Sequence, residues 1–258
     1  MLESYFNPKS ARTKIEKFIS EKIRCSDVEG IVLGISGGLD STTVAKLCKS
    51  AINKKERIIG IHLYIDKPES TVTKNFLNLN LKLIDISEII SSFRRKLEWD
   101  EEHNKNKIVK GNLIARIRMS ILYYFANKKK LIVCGTSNKS EISIGYFTKY
   151  GDGGADILPI GDLYKLEVAE LAKELEVPSK IVEKDPTAGL WEGQKDKKEI
   201  GMEYKELDPI LYLMVEKRLS NEKIASKLGL NTKKVEKVRR MYNNSMHKRE
   251  MPPTCKIH

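Results

Sequence analysis

The stretch that most constrains the fold of this chain is Gly34-Ile35-Ser36-Gly37-Gly38-Leu39-Asp40-Ser41. It follows an apolar run, Gly30-Ile31-Val32-Leu33, and opens into Thr42-Thr43-Val44-Ala45-Lys46-Leu47-Cys48, which has helical spacing. The order is strand, tight glycine turn, helix start. At such a junction the first-turn N–H groups lack internal partners and point where the helix dipole favours an anion. Gly37 and Gly38 let the backbone approach that anion and take positive φ where needed. Ser36, Ser41, Thr42 and Thr43 add hydroxyl donors. A phosphate would repel Asp40 unless a cation lay between them, so Asp40 reads as a magnesium ligand. The stretch is not a Walker P-loop, because it lacks the required lysine.

At 258 residues the chain suits one large α/β domain, or one domain with a small appendage. Its apolar runs are too short to span a bilayer. Met1-Leu2-Glu3-Ser4-Tyr5-Phe6 lacks the basic-then-apolar order of a signal peptide, so the expected location is cytoplasmic. None of the four cysteines, Cys25, Cys48, Cys134 and Cys255, forms a C-x-x-C pair, which argues against a zinc knuckle or dithiol centre. Cys48 and Cys134 sit in apolar patterns and read as packed core thiols. The net charge of +12 fits either nucleic acid or an anionic small substrate.

Strand patterns recur at Arg57 to Tyr64, Lys82 to Ile86 and Leu131 to Gly135. Helical patterns cover Ser10 to Lys22, Thr71 to Leu79, Ile86 to Leu97, Gly111 to Asn127 and Lys165 to Leu175, and Asn104 to Lys110 reads as a polar loop. His62 reads as a satisfied core or crevice histidine. The alternation predicts βαβ units: an α/β, doubly wound parallel sheet of about five strands flanked by helices. Ligands of such sheets gather at the carboxyl ends of the strands, so the loops after Leu33 and Cys134 should face one crevice. Lys184 to Gly201 is a long loop of the kind used as a lid. Helices at Tyr204 to Lys217, Asn221 to Leu228 and Thr232 to Asn243 close the chain.

The glycine loop resembles the S-G-G-x-D-S loop of pyrophosphatase-type ATP enzymes, which several families share. Gly135-Thr136-Ser137-Asn138-Lys139-Ser140-Glu141 and the run from Gly145 to Asp156 narrow the resemblance to the NAD synthetases. It continues through Pro159 to Lys165, Pro186 to Trp191 and His247-Lys248-Arg249, covering most of the chain. The resemblance implies an adenine nucleotide alpha hydrolase-like fold. It also implies ATP-dependent amidation of deamido-NAD through an acyl-adenylate, releasing AMP and pyrophosphate. A single domain over 1–258 is expected, with a core at about 10–180, a lid at about 184–201 and C-terminal helices at about 204–245. A homodimer is implied, with the long helix near Gly111 to Asn127 against its partner and deamido-NAD across the interface. The chain is too short to hold a glutamine-hydrolysing domain beside this one, so free ammonia is the expected donor.

By motif match, Gly34, Ile35, Ser36, Gly37, Gly38, Leu39, Asp40 and Ser41 would hold the pyrophosphate portion of ATP. Asp40 and Glu141 would bind magnesium. Thr136 would contact ATP, and Lys165 and Thr187 its phosphates. Arg116, Lys149, Asp156, His247 and Lys248 would hold deamido-NAD, and Asp152 would orient the reacting groups or the ammonia. Each has a plainer alternative: Arg116 as a solvated charge, Glu141 as a first-turn acid, Lys149 and Asp156 as loop surface.

Two rival readings stand beside this one. The basic charge suits an RNA-modifying S-G-G-x-D-S enzyme, although the sulfur-relay cysteines of a thiolase are lacking. Ser220 to Val235, with Gly229 at the turn, reads like a helix-turn-helix. Within the resemblance it becomes a structural helix pair, with no nucleic-acid or membrane partner.

Overall fold

The computed structural model describes residues 6–52, 58–66, 76–79, 81–97, 105–191 and 193–257. Four apolar runs form strands: β1 (Gly30–Gly34), β2 (Ile58–Tyr64), β3 (Leu81–Asp85) and β4 (Leu131–Cys134). They pair in parallel in the order β3-β2-β1-β4. The chain steps outward from β1 to β3, then returns to the far side of β1 with β4. The order therefore reverses between β1 and β4, where open α/β sheets bind ligands.

Helices cover both faces, which is why β1 is apolar throughout rather than alternating. Ile31 and Leu33 pack with α1 (Pro8–Cys25), α2 (Leu39–Ala51) and α6 (Lys165–Glu174). Val32, between them, points to the other face with α3 (Ser87–Lys96) and α4 (Lys105–Lys129). A third cluster joins α5 (Lys139–Ile144), α9 (Tyr204–Val215), α10 (Asn221–Leu228) and α11 (Thr232–Asn244). Short helices α7 (Ser179–Val182), α8 (Asp196–Ile200) and α12 (Met246–Arg249) complete the described elements. Cys48 and Cys134 are buried, their sulfurs 3.8 Å apart, as packed core thiols.

The structure departs from the sequence reading in three places. The polar segment expected as a loop over Asn104 to Lys110 is helical from Lys105 onward. Extending an established helix adds one hydrogen bond per residue fixed, so a polar stretch can follow a buried one. A fifth strand is reduced to one parallel bridge between Cys134 and Ile157. Pro159 follows two residues later and has no N–H for a ladder. The long segment Lys184 to Gly201 contains the one-turn helix α8. Of the helix expected over Thr71 to Leu79, 71–75 lie outside the described residues, and 76–77 are helical. Arg57 also lies outside them.

Gly135 ends β4 because no side chain fits there. A Cβ would lie 2.6 Å from both Ala155 Cβ and Leu158 Cδ2. Gly135→Val is expected to destabilise the fold by about 1–3 kcal/mol, as overpacked core sites do, measured by urea unfolding.

Candidate active site

The glycine loop leaves β1 and enters α2 at the switch point. Ile35 N–H donates to the Ile61 carbonyl (2.8 Å), and the Ile35 carbonyl meets His62 Nδ1 at 2.6 Å. His62 thus props the loop, as a satisfied crevice histidine. Gly37 takes φ +80°. Ser41 Oγ accepts from Ser36 N–H (3.2 Å) and lies 3.0 Å from Ser36 Oγ, which accepts from Gly38 N–H (3.2 Å). These two serines hold the loop's shape. Gly38 is the N-cap of α2 and brings no side-chain cap, so the helix end presents N–H groups toward the crevice.

The second loop comes from β4. Thr136 follows Gly135 directly and is half-buried. Asn138 and Glu141 form a capping box at α5: Glu141 N–H donates to Asn138 Oδ1 (3.0 Å), and Asn138 N–H to Glu141 Oε2 (3.2 Å). The box aims Glu141 at the glycine loop. Asn138 Nδ2 reaches Asp40 Oδ1 at 3.4 Å. Lys165, the first residue of α6, completes the site. Its ammonium pairs with Asp40 Oδ2 and lies 3.6 Å from Glu141 Oε1. Two loops and one helix start therefore bring Asp40, Glu141 and Lys165 together.

Burial pushes the Glu141 carboxyl up from the ordinary carboxylate range; Lys165 opposes this, and Asp40 adds to it. Lys165 loses hydration, but the two carboxylates hold its ammonium above the ordinary lysine range. Two carboxylates on separate elements supply hard oxygens of the kind magnesium takes when phosphates and water complete its shell. The donor chemistry of the site thus fits that ion. Among the described residues no group of three or more His, Cys, Asp or Glu forms a metal cage.

Beneath Lys165 lies a polar layer that the sequence reading did not single out. The ammonium sits 5.4 Å from the centroid of the Tyr204 ring. Tyr204 donates to Asp196 Oδ2 (2.9 Å), and the Tyr146 hydroxyl is shared between Glu199 Oε2 (2.7 Å) and Asp196 Oδ1 (3.1 Å). On the other side, Lys165 N–H donates to Ser140 Oγ (2.9 Å), and Ser140 donates to Asp208 Oδ1 (2.6 Å). Asp208 is fully buried and also accepts from Leu166 N–H (2.9 Å). Desolvation outweighs these donors and lifts its carboxyl to about 7. A carboxyl raised on folding contributes stability that is full below its unfolded value, near 3.8, and lost as pH rises through about 7. Between pH 5 and pH 8 the melting temperature of the wild type is therefore expected to fall more steeply than that of Asp208→Asn.

A second cluster gathers four of the five residues expected at deamido-NAD. Arg116 Nε donates to the Lys149 carbonyl (3.3 Å). The Lys149 ammonium donates to the carbonyls of His247 and Glu250. Lys248 donates to the carbonyls of Gly145 (2.7 Å) and Phe147 (2.8 Å), and burial lowers its ammonium from the ordinary range. His247 is exposed, its Nδ1 3.1 Å from the Asn244 carbonyl. Asp152 is exposed at the surface and accepts from Thr148 N–H (2.9 Å); the protein packed around its carboxyl raises it, while its backbone hydrogen bonds, Lys248 and Arg118 pull it down. Asp156 stands apart from this cluster. Its carboxylate accepts from Val133 N–H (2.7 Å) and Tyr123 OH (2.8 Å), tying β4 to α4. Thr187 is exposed, and its Oγ1 accepts from Gly189 N–H (3.1 Å).

The helix-turn-helix pattern is a packed pair. Gly229 caps α10 in the left-handed region, and Ile224, Ala225, Val235 and Val238 join the core with α9. No helix among the described residues is long and apolar enough to cross a membrane.

Comparison with known proteins identifies the family. The sequence model of the NAD synthase family matches residues 11–252. An NH(3)-dependent NAD(+) synthetase of Thermococcus sibiricus is 44% identical over 244 residues, 93% of this chain and 94% of that one. Among solved structures, NMN synthetase from Francisella tularensis is 32% identical with a TM-score of 0.81, over 98% of this chain and all of that chain. NH3-dependent NAD synthetase from Campylobacter jejuni is 29% identical with a TM-score of 0.79, over 97% of this chain and all of that chain. The anion-ready helix start, the facing carboxylates and the matched length lead to one conclusion: the chain belongs to the NAD synthase family.

Proposed function

We propose that this ligase forms NAD by amidating deamido-NAD with free ammonia, at the expense of ATP. The observation that carries the reading is the convergence of Asp40, Glu141 and Lys165 at the β1–β4 switch point. A carboxylate resists ammonia because its leaving group would be an oxide. One nicotinate oxygen therefore attacks the α-phosphorus of ATP, the bond to the β-phosphate oxygen breaks, and pyrophosphate leaves. Ammonia then adds to the acyl carbon, loses a proton, and displaces AMP.

In this proposal Gly34 to Ser41 holds the pyrophosphate portion at the start of α2. Lys165, a compact point charge, meets the charge that develops at the α-phosphate. Asp40 and Glu141 would hold magnesium, which supplies charge neutralisation for the phosphates. Thr136 and Thr187 contact ATP. Arg116, Lys149, His247 and Lys248 bind deamido-NAD, with Asp156 lending the acceptor capacity that its fold partners leave. Asp152, exposed on its loop and within the electrostatic reach of Lys248, orients the incoming ammonia.

Residues 1–258 act as one domain in this reading, and two copies pair through α4. Ile108, Val109 and Tyr124 on that helix are exposed, as apolar side chains awaiting cover would be. The segment Lys184 to Gly201 acts as a lid that excludes water from the acyl-adenylate. Leu190 and Trp191 already seat against Gly111 of α4, within 3.0–3.2 Å of where its Cβ would be. Protease cleavage within this segment is expected to slow when ATP, magnesium and deamido-NAD are present together. Unchanged cleavage would refute the lid.

The function is tested with ATP, magnesium, deamido-NAD and ammonium chloride, following NAD and AMP, with glutamine as a separate donor. Equal NAD and AMP, from ammonia and not glutamine, is the expected result, from a preparation that sediments as a dimer. The likeness to an NMN synthetase makes nicotinate mononucleotide the informative competing substrate. Preference for it would relocate the substrate assignment and leave the chemistry intact. ATP consumption only in the presence of tRNA would replace the reading with an RNA-modifying one.

A further inference from the structure

Lys165 is held from below by groups that none of the roles above includes. Its ammonium rests over the Tyr204 ring, 5.4 Å from the centroid, a favourable site for a cation shielded from water. Tyr204 is 8% exposed, and its hydroxyl is fixed by Asp196 Oδ2 at 2.9 Å. Asp196 is 3% exposed, and its other oxygen lies 3.1 Å from the Tyr146 hydroxyl, whose shorter bond, at 2.7 Å, goes to Glu199 Oε2. This buried carboxylate makes no ion pair within salt-bridge distance of Lys165; it acts on the lysine by its charge at longer range and by contact through the tyrosine.

Asp196 also belongs to the segment assigned to the lid. It is the first residue of α8, and its N–H donates to the Pro186 carbonyl at 3.1 Å. Pro186 immediately precedes Thr187. The backbone of Asp196 is therefore tied to the strand of chain bearing Thr187, and its side chain to the platform under Lys165. Buried acids persist where their hydrogen bonds are made and their position is useful.

We infer that Asp196 and Tyr204 are positioning residues for Lys165, joining the placement of the Lys184–Gly201 segment to the placement of the ammonium that acts on ATP. The inference rests on the reading of Lys165 as the group that meets the α-phosphate. Asp196 fixes the ring through the hydroxyl, the ring fixes the height of the ammonium, and displacement of α8 is transmitted to the reacting phosphate. A misplacement of this kind acts on the transition state more than on ground-state ATP binding.

The test uses the full chain with Asp196→Asn, Tyr204→Phe, Lys165→Ala and the double variant Lys165→Ala/Asp196→Asn. NAD formation is followed with ATP, magnesium, deamido-NAD and ammonium chloride, and each melting temperature is recorded. Asp196→Asn and Tyr204→Phe are each expected to lower kcat about tenfold, since small misplacements of reacting groups are expensive. The KM for ATP should stay within about threefold, as for an interaction made in the transition state. In the Lys165→Ala background, Asp196→Asn should produce no further loss. Tyr204→Phe keeps the ring and carries the test if the Asp196 variant does not fold.

A second readout does not need turnover. Competitive acylation of lysines, read by mass spectrometry, should label Lys165 several-fold faster in either single variant than in the wild type. Single variants with wild-type kcat and wild-type Lys165 labelling would overturn the inference. So would multiplicative losses in the double variant, because Asp196 would then act independently of Lys165. If the wild type itself makes no NAD, the functional reading fails, and the labelling result alone decides whether Asp196 and Tyr204 position the lysine.

Discussion

Lys165→Ala is expected to lower kcat for NAD formation by about a hundred- to a thousandfold, the usual loss when a preorganised group facing developing charge is removed. The magnitude follows from placement. The ammonium is buried on an aromatic ring, paired with Asp40, and 3.6 Å from Glu141. Its backbone is fixed too, because Lys165 N–H donates to Ser140 Oγ, itself held by buried Asp208. Such a group meets charge on phosphate without reorganising. Lys165→Arg restores charge and not rate, because a planar guanidinium cannot replace a compact ammonium in this space. The alanine variant also leaves two part-buried carboxylates without their shared cation. A loss of about 1–3 kcal/mol is expected, in the range of a charged hydrogen bond. Steady-state kinetics and thermal melts check both parts. A variant within tenfold of wild-type kcat would remove Lys165 from the chemistry.

Asp40→Asn is the second large effect, and its signature differs. Asp40 lies in the first turn of α2, beside the N–H groups proposed to receive the pyrophosphate. A carboxylate there repels phosphate unless a cation intervenes. The amide keeps the size of the side chain and an acceptor oxygen for Asn138, so the fold should persist, with the melting temperature lowered because buried Lys165 keeps only Glu141 as a counter-charge. kcat/KM for ATP is expected to fall about a hundredfold, with the remaining rate requiring far more magnesium to saturate. A near-normal magnesium dependence would show that Asp40 serves only as the ion-pair partner of Lys165.

The fold was legible where its causes are local. Short apolar runs followed by helical periods gave β1, β2 and β4, and the glycine turn after β1 marked the anion-ready start of α2. The Asn138-to-Glu141 spacing of a capping box is visible in the sequence, and the structure contains that box. The helices α10 and α11 match their sequence bounds closely because Ser220, Gly229 and Asn231 cap them.

What was not legible depends on distance along the chain. Asp196 meets Tyr146 and Tyr204, 50 and 8 residues away, and no periodicity marks a pair brought together by folding. Asp208 looks like an ordinary helix acid until Ser140 and Leu166 arrive from other elements. Asp156 carries a motif match, yet its nearest duty is to bond Val133 and Tyr123, which a motif does not reveal. The early start of α4 escaped because Lys105 to Lys110 extends a helix that buried residues further on make stable.

The central claim is that the carboxylate of deamido-NAD attacks the α-phosphorus of ATP. It is tested most directly by deamido-NAD labelled with oxygen-18 in the nicotinate carboxylate. The oxygen that becomes the acyl-adenylate bridge must leave with AMP when ammonia displaces it. One labelled oxygen in AMP per NAD formed is expected, with unlabelled pyrophosphate. Label in inorganic phosphate, with ADP as the nucleotide product, would mean attack at the γ-phosphorus and would contradict the account.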